Sequence, residues 1–228
     1  MGRRDERRER RRALLLDTAM EILGEGGLDA LTIPRLAERM GASVGGLYRY
    51  FPSKEAIFVA LQERAIDAYS KAQGDAAEVA ETWSSGLSVG GRALARVVGA
   101  FHAFLRQAEQ APAQHALVDA FLSAPSPTLS EAQARAIDAY LTPLLEACAE
   151  HLEGATAAGA LAPGDALVRT HVLWAALHGL DHFRKRDRIQ PPALRVEQLE
   201  RTLFRTTFIG WGGAPNTVDS ALALLDQL

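Results

Sequence analysis

The chain has 228 residues, 48% of them hydrophobic, and a formal net charge of -3; this allows one large or two small cores and argues by itself neither for nor against a nucleic-acid partner. A single cysteine, Cys148, excludes an internal disulfide, and no apolar run approaches the roughly 18 residues of a membrane span. Leu14-Leu15-Leu16 is too short for a signal-peptide core, so a cytoplasmic protein with no membrane partner and no cofactor is expected.

Apolar residues recur at spacings of three and four, and nothing alternates convincingly with period two, so the chain reads as all-α. A first helix is expected from about Asp5 to Leu23, with Leu15, Ala19, Ile22 and Leu23 inward, stopped by Gly24-Glu25-Gly26-Gly27. Thr32 caps a short second helix with Pro34 in its first turn. Gly41 ends it, and Ser43 caps a third helix from Val44 to about Tyr50. Pro52 breaks the chain, and Ser53 caps a fourth helix running to about Gly74. Residues 73–91 are small and glycine-rich and read as a boundary. Beyond them helices are expected at 91–110, 113–123, 128–158, 165–186, 194–211 and 215–227, punctuated by prolines. Charge follows the same division. Residues 1–66 hold 12 Lys and Arg against 10 Asp and Glu, and residues 67–228 hold 13 against 18. A mildly basic head (1–66) on an acidic body (67–228) suggests two jobs.

The stretch Gly41-Ala-Ser-Val-Gly45 fits the G-x-S-x-G pattern of a hydrolase nucleophile elbow, which requires a strand before the serine. Thr32 to Met40 is helical by period, and no βαβ pattern is visible. Two short helices around a glycine turn make a helix-turn-helix instead. Val44, Gly45 and Gly46 let the backbone of the second helix approach base edges. Tyr48, Tyr50 and Lys54 are placed to reach phosphates, and Arg49 bases or backbone. Gly2 to Arg12 holds seven arginines against three acids. It reads as an arm for the DNA backbone or the minor groove, the alternative being a solvated helix start with pairs such as Glu6–Arg10.

Leu31 to Leu61 resembles the DNA-binding domain of the tetracycline-repressor (TetR) family of bacterial regulators. The matching residues are Thr32, Leu36-Ala37, Gly41-Ala42-Ser43, Gly45, Leu47-Tyr48, Tyr50-Phe51 and Lys54. Two positions depart from the family: Gly46 stands where a phosphate-binding threonine is common, and Pro34 where some members read bases with arginine. Arg35 is the nearest substitute. The resemblance implies a DNA-binding set of Thr32, Arg35, Ser43, Val44, Gly45, Gly46, Tyr48, Arg49, Tyr50 and Lys54.

In the body, Val172 to Leu177 is apolar all round and must be buried on every side, by the body's own core and by a partner. The resemblance implies a homodimer built from the last two long helices, with Leu173, Leu177, Leu180, Leu203, Phe204 and Phe208 at the interface. Phe101, Phe104, Phe121, Tyr140 and Trp174 are candidates to line an apolar effector cavity with His102 or His178 as polar handle. His171, His178 and His182 share a helix face but lack the H-E-x-x-H signature of a zinc site, and core or interface positions are expected for them. Cys148 lies in an apolar-periodic stretch and reads as a buried structural thiol. These observations lead to the expectation of a non-enzymatic, homodimeric transcriptional regulator of the TetR type. Its expected role is that of a repressor released from a near-palindromic double-stranded DNA operator by a small apolar effector. The alternatives are an activator, a regulator controlled by a protein partner and, remotely, a Ser43-dependent hydrolase.

Overall fold

The structure, a computed structural model, describes residues 2–123 and 130–228, without the side chains of residues 121–123 and 133. Every regular element among the described residues is helical: α1 (Arg3–Ala30), α2 (Ile33–Arg39), α3 (Val44–Tyr48), α4 (Lys54–Trp83), α5 (Val89–Gln110), α6 (Pro112–Ser123), α7 (Glu131–Ala157), α8 (Ala166–Phe183), α9 (Val196–Gly210) and α10 (Pro215–Leu222). Short 3-10 turns follow at Arg184–Arg186, Pro192–Leu194 and Ala223–Asp226. None of the helices is long and apolar enough, among the described residues, to cross a membrane.

The chain divides into two compact units, one up to Asp67 together with Ala111–Tyr140, the other Ala68–Gln110 with Leu141–Leu228. The sequence division at 66/67 leaves 111–140 with the body. In the structure this stretch clusters with the head, where α6 packs on α1. The buried Gln62 amide on α4 donates to the Leu117 carbonyl of α6 at 3.0 Å.

In the first unit, the expected stripe of Leu15, Ala19, Ile22 and Leu23 is buried. Helical geometry in α1 breaks at Gly26 and Gly27, the latter at φ 70°, a left-handed conformation that favours glycine. The chain re-enters helix for a last turn to Ala30.

Residues 73–83, read as part of a boundary, are helical, because α4 runs on through Gly74 to Trp83. A mid-helix glycine costs about 1 kcal/mol against alanine, and burial of Gln73, Ala77 and Ala80 in the same stretch opposes that cost. The break comes at the serines, where the Ser88 hydroxyl accepts the Gly91 N–H at 3.1 Å and opens α5. α5 then crosses α4 at Gly99, where a Cβ would stand 2.5 Å from the Ala76 carbonyl oxygen. Any side chain there would force the two helices apart.

In the second unit, α5, α8, α9 and α10 pack in a closed cycle, each against the next. Inside it the rings of Phe204 and Phe208 stack, with centroids 5.6 Å apart and planes 6° apart. The inner stripe of α9 is Val196, Glu200, Phe204 and Phe208. Leu203, expected at the interface, is only half-buried, as are Leu199 and Ile209. An acid, Glu200, takes the core position on this face instead.

Candidate nucleic-acid interface

The helix-turn-helix is assembled from local signals. The Thr32 hydroxyl accepts the Arg35 N–H at 3.3 Å and caps α2. At the other end Gly41 adopts φ 57°. Its N–H bonds to Glu38 O at 3.0 Å, and the Ala42 N–H to Ala37 O at 2.9 Å. These two reversed bonds form a Schellman motif, which needs a residue tolerant of left-handed geometry at this position. Two residues on, the Ser43 hydroxyl accepts the Gly46 N–H at 3.1 Å and caps α3. A Cβ on Gly46 would lie 3.2 Å from that hydroxyl, so glycine at this departure from the family pattern leaves the cap undisturbed. Ser43 follows a helix and a turn, not a strand, and its oxygen is engaged as a cap.

Leu47 and Phe51 anchor α3 in the core, while Val44 is 40% and Tyr48 43% exposed. Gly45, Arg49 and Lys54 are exposed beside them, and Tyr50 is half-buried. The Ser53 hydroxyl accepts the Ala56 N–H at 3.1 Å and starts α4 at Lys54. Backbone hydrogen bonding at this helix start, aided by the Ser53 side chain, holds the Glu55 carboxyl below its usual range. Arg35 does not join the exposed set. It reaches Glu25 at 2.8 Å, and Arg39 bonds the same carboxylate. Thr32, likewise, is engaged as a cap.

The arginine arm is the first turns of α1, not an extended tail. An α-helix with side chains is about 10–12 Å across, so in this conformation the arm is too wide for a minor groove about 6 Å wide. Two of the seven arginines have internal partners that sequence reasoning missed. Arg11 donates to the Met40 carbonyl at 3.3 Å. The Arg12 guanidinium lies 4.8 Å over the Phe51 ring. Arg4, Arg7, Arg8, Arg10 and Arg11 line, with Arg49 and Tyr50, an open groove of about 1080 Å³. The spacing Arg4, Arg8, Arg11, Leu15 was the available signal, since it continues the line of buried Leu15 along one helix face.

The body candidates fall into separate places. Phe104 and His178 have ring centroids 4.4 Å apart, and His178 and Trp174 5.1 Å. Tyr69, missed in the sequence, adds a ring 5.7 Å from Phe104. Phe101 is buried, Tyr140 is 44% exposed, and the Phe121 side chain lies outside the described residues. His102 turns to Glu200, whose carboxylate oxygens lie 3.0 and 3.1 Å from Nδ1. Glu200 could have been found from its place four residues before Phe204 and eight before Phe208. Cys148 is buried and its thiol donates to Gln73 Oε1 at 3.0 Å; burial pushes its pKa up to about 12. His171 and His182 each donate Nδ1–H to a carbonyl four residues back, at 2.8 and 2.9 Å. Among the described residues no three potential metal ligands lie together.

Of the six expected interface residues, Leu173, Leu177, Phe204 and Phe208 are wholly buried within the single chain and have no surface left for a partner. Leu180 and Leu203 are half-buried. The open face of α8 carries Val168, Val172, Ala175 and Gly179, a stripe of small and branched residues.

Residues 15–61 match the model of bacterial regulatory proteins of the tetR family. The "HTH-type transcriptional repressor KstR" of Mycolicibacterium smegmatis is 43% identical over 54 residues, 24% of this chain and 26% of its own. The "Nucleoid occlusion factor SlmA" of Actinobacillus pleuropneumoniae serotype 5b is 46% identical over 55 residues, 24% and 27% of the two chains. The match thus spans about a quarter of the length of these curated relatives. Whole-chain likeness is to folds. A Rhodococcus sp. RHA1 protein of unknown function has TM-score 0.68 at 22% identity, covering 88% of this chain and 95% of that one. RolR in complex with resorcinol has TM-score 0.63 at 16% identity, covering 95% of each. AibR in complex with isovaleryl coenzyme A and operator DNA has TM-score 0.59 at 16% identity, covering 90% and 100%. Through residues 15–61 the chain carries a helix-turn-helix domain similar to that of the tetR family of bacterial regulatory proteins.

Proposed function

We propose that this protein is a DNA-binding transcriptional regulator that acts as a repressor. The observation that carries the reading is the pairing of a doubly capped helix-turn-helix with the arginine-lined groove beside it. Val44 and Gly45 face base edges, Tyr48, Tyr50 and Lys54 contact phosphates, and Arg4, Arg7, Arg8 and Arg49 follow the backbone. The resemblance of the head to KstR supports repression rather than activation.

Such heads read two half-sites about 34–36 Å apart as symmetric dimers. The open stripe of α8, Val168, Val172, Ala175 and Gly179, with the exposed Thr202 and Thr206 of α9, is the proposed two-fold face. Neighbours of this fold hold small organic ligands, which supports an effector bound in the second unit near Phe101, His102, Phe104, Trp174 and His178. The effector must bind the DNA-free state better, or it shifts nothing.

The test is selection of binding sites from a random duplex pool, followed by anisotropy titrations on the selected duplex. Tyr48→Ala and Lys54→Ala should weaken binding to all sequences together. The salt slope should fall by about one for every phosphate that is no longer neutralised. No enriched duplex, or unchanged affinity in both variants, overturns the reading.

A further inference from the structure

The connection between α8 and α9 concentrates charge that the fold leaves unmatched. Among the described residues, Lys185, Arg188 and Arg195 have neither an ion pair nor a side-chain hydrogen bond, and Arg186 lies 5.5 Å over the Phe183 ring. The other arginines of the second unit outside this connection are held by a carboxylate or a backbone carbonyl. The one acid in the connection, Asp187, turns inward and accepts the Val196 N–H at 3.2 Å. Arg184 anchors the segment through Asp181, Glu109 and the Leu105 carbonyl. Pro191 and Pro192 stiffen it further. Between the unmatched cations, Ile189 is 72% and Leu194 52% exposed. A rigid, arginine-rich prominence with an aliphatic tip has the composition of a protein-contact centre. It calls for carboxylates beside a shallow apolar hollow.

The same unit supplies that chemistry elsewhere. Glu146, Glu150 and Glu153 on α7 are all exposed, and none pairs with a lysine or arginine among the described residues. Their spacing of four and three puts them on one helix face. Glu150 borders an open hollow of about 370 Å³, lined also by Ala93, Arg96, His151 and Gly154. Ala93 and Gly154 leave room for a branched side chain, and Arg96 is already neutralised by Glu81.

We propose that the α8–α9 connection of one copy docks on α7 of a second copy, with Ile189 in the hollow and Lys185, Arg188 and Arg195 facing the three glutamates. The two surfaces differ, so the contact is heterologous and adds copies head to tail unless a two-fold axis closes it. It is separate from the α8 stripe proposed for the dimer, and it needs no DNA.

The test is sedimentation equilibrium of the purified full chain, without DNA, at low and high salt. Lys185→Glu/Arg188→Glu/Arg195→Glu and Glu146→Lys/Glu150→Lys/Glu153→Lys exchange exposed charges that form no Lys/Arg–carboxylate ion pair among the described residues, so both should keep the wild-type melting curve. Each set alone should weaken salt-sensitive self-association about tenfold, and the two sets combined should restore it. Ile189→Asp should weaken it without altering the net charge of the glutamate face. Failure of the combined variant to recover overturns the proposal, as does a wild-type mass that neither salt nor either set changes. So does a loop set that alters only binding to phosphatidylglycerol vesicles or to duplex DNA. Failure of the DNA titrations leaves these outcomes unaffected.

Discussion

His102 on α5 and Glu200 on α9 meet inside the second unit, Nδ1 to Oε1 at 3.0 Å, with the carboxylate almost wholly buried. Removing the imidazole leaves the buried carboxylate without this hydrogen bond, at a cost of about 1–3 kcal/mol. His102→Ala should therefore lower the urea midpoint far more than His102→Gln, whose amide can still donate to Glu200. Equal midpoints for the two variants would show that the bond contributes little.

Ser43 is a helix cap in this structure, and its substitution has a defined size. Ser43→Ala should cost about 1 kcal/mol in chemical denaturation, while Ser43→Asp keeps the cap and most of that stability. In duplex titrations Ser43→Asp should still bind poorly, because the proposed docking would set its charge against phosphate. A stability unchanged by Ser43→Ala would contradict the capping role.

The arm arginines divide by the partners they reach. Arg11→Ala and Arg12→Ala remove links to Met40 and Phe51 and should lower thermal stability. Arg4→Ala and Arg8→Ala should leave melting unchanged and reduce the salt slope of duplex binding, by about one for every phosphate left without its arginine. Calorimetry beside anisotropy separates the two classes, and the reverse pattern would refute the division.

Burial of Phe208 within the single chain moves it from the expected interface to the core. Phe208→Glu puts a carboxylate against Phe204 in the core and should unfold the chain, since several kcal/mol is a large share of a stability of about 5–15 kcal/mol. Val172→Glu, on the open stripe of α8, should instead yield a folded monomer. Circular dichroism and light scattering read the two outcomes; a dimer intact in Val172→Glu removes α8 from the interface.

Burial, with the Arg96 guanidinium beside it, holds His151 below the ordinary histidine range. The unfolded chain therefore takes up a proton as pH falls through about 6.5, before the folded one does. Stability linked to His151 is full above that pH and is lost as pH falls. His151→Gln should lose less stability than wild type between about pH 7.5 and 5, read from urea midpoints. Parallel losses would mean that the imidazole titrates alike in both states.

The head was legible because its determinants are local. The caps at Thr32, Ser43 and Ser53 bond N–H groups three residues away, and Gly41 turns the chain by its own backbone freedom. The body was legible only as helices. Glu200 enters the inner stripe of α9 because its partner, His102, stands 98 residues earlier, and no periodicity encodes a pair so distant. Gly74 did not stop α4, because burial of its neighbours outweighed a local preference. The sequence by itself determined the helix-turn-helix, its caps and the all-α class, all set within a turn or two of chain. Tertiary structure alone decided which arginines of the arm hold the fold and which cations of the α8–α9 connection stay unmatched, because pairing depends on the neighbours that packing brings within reach.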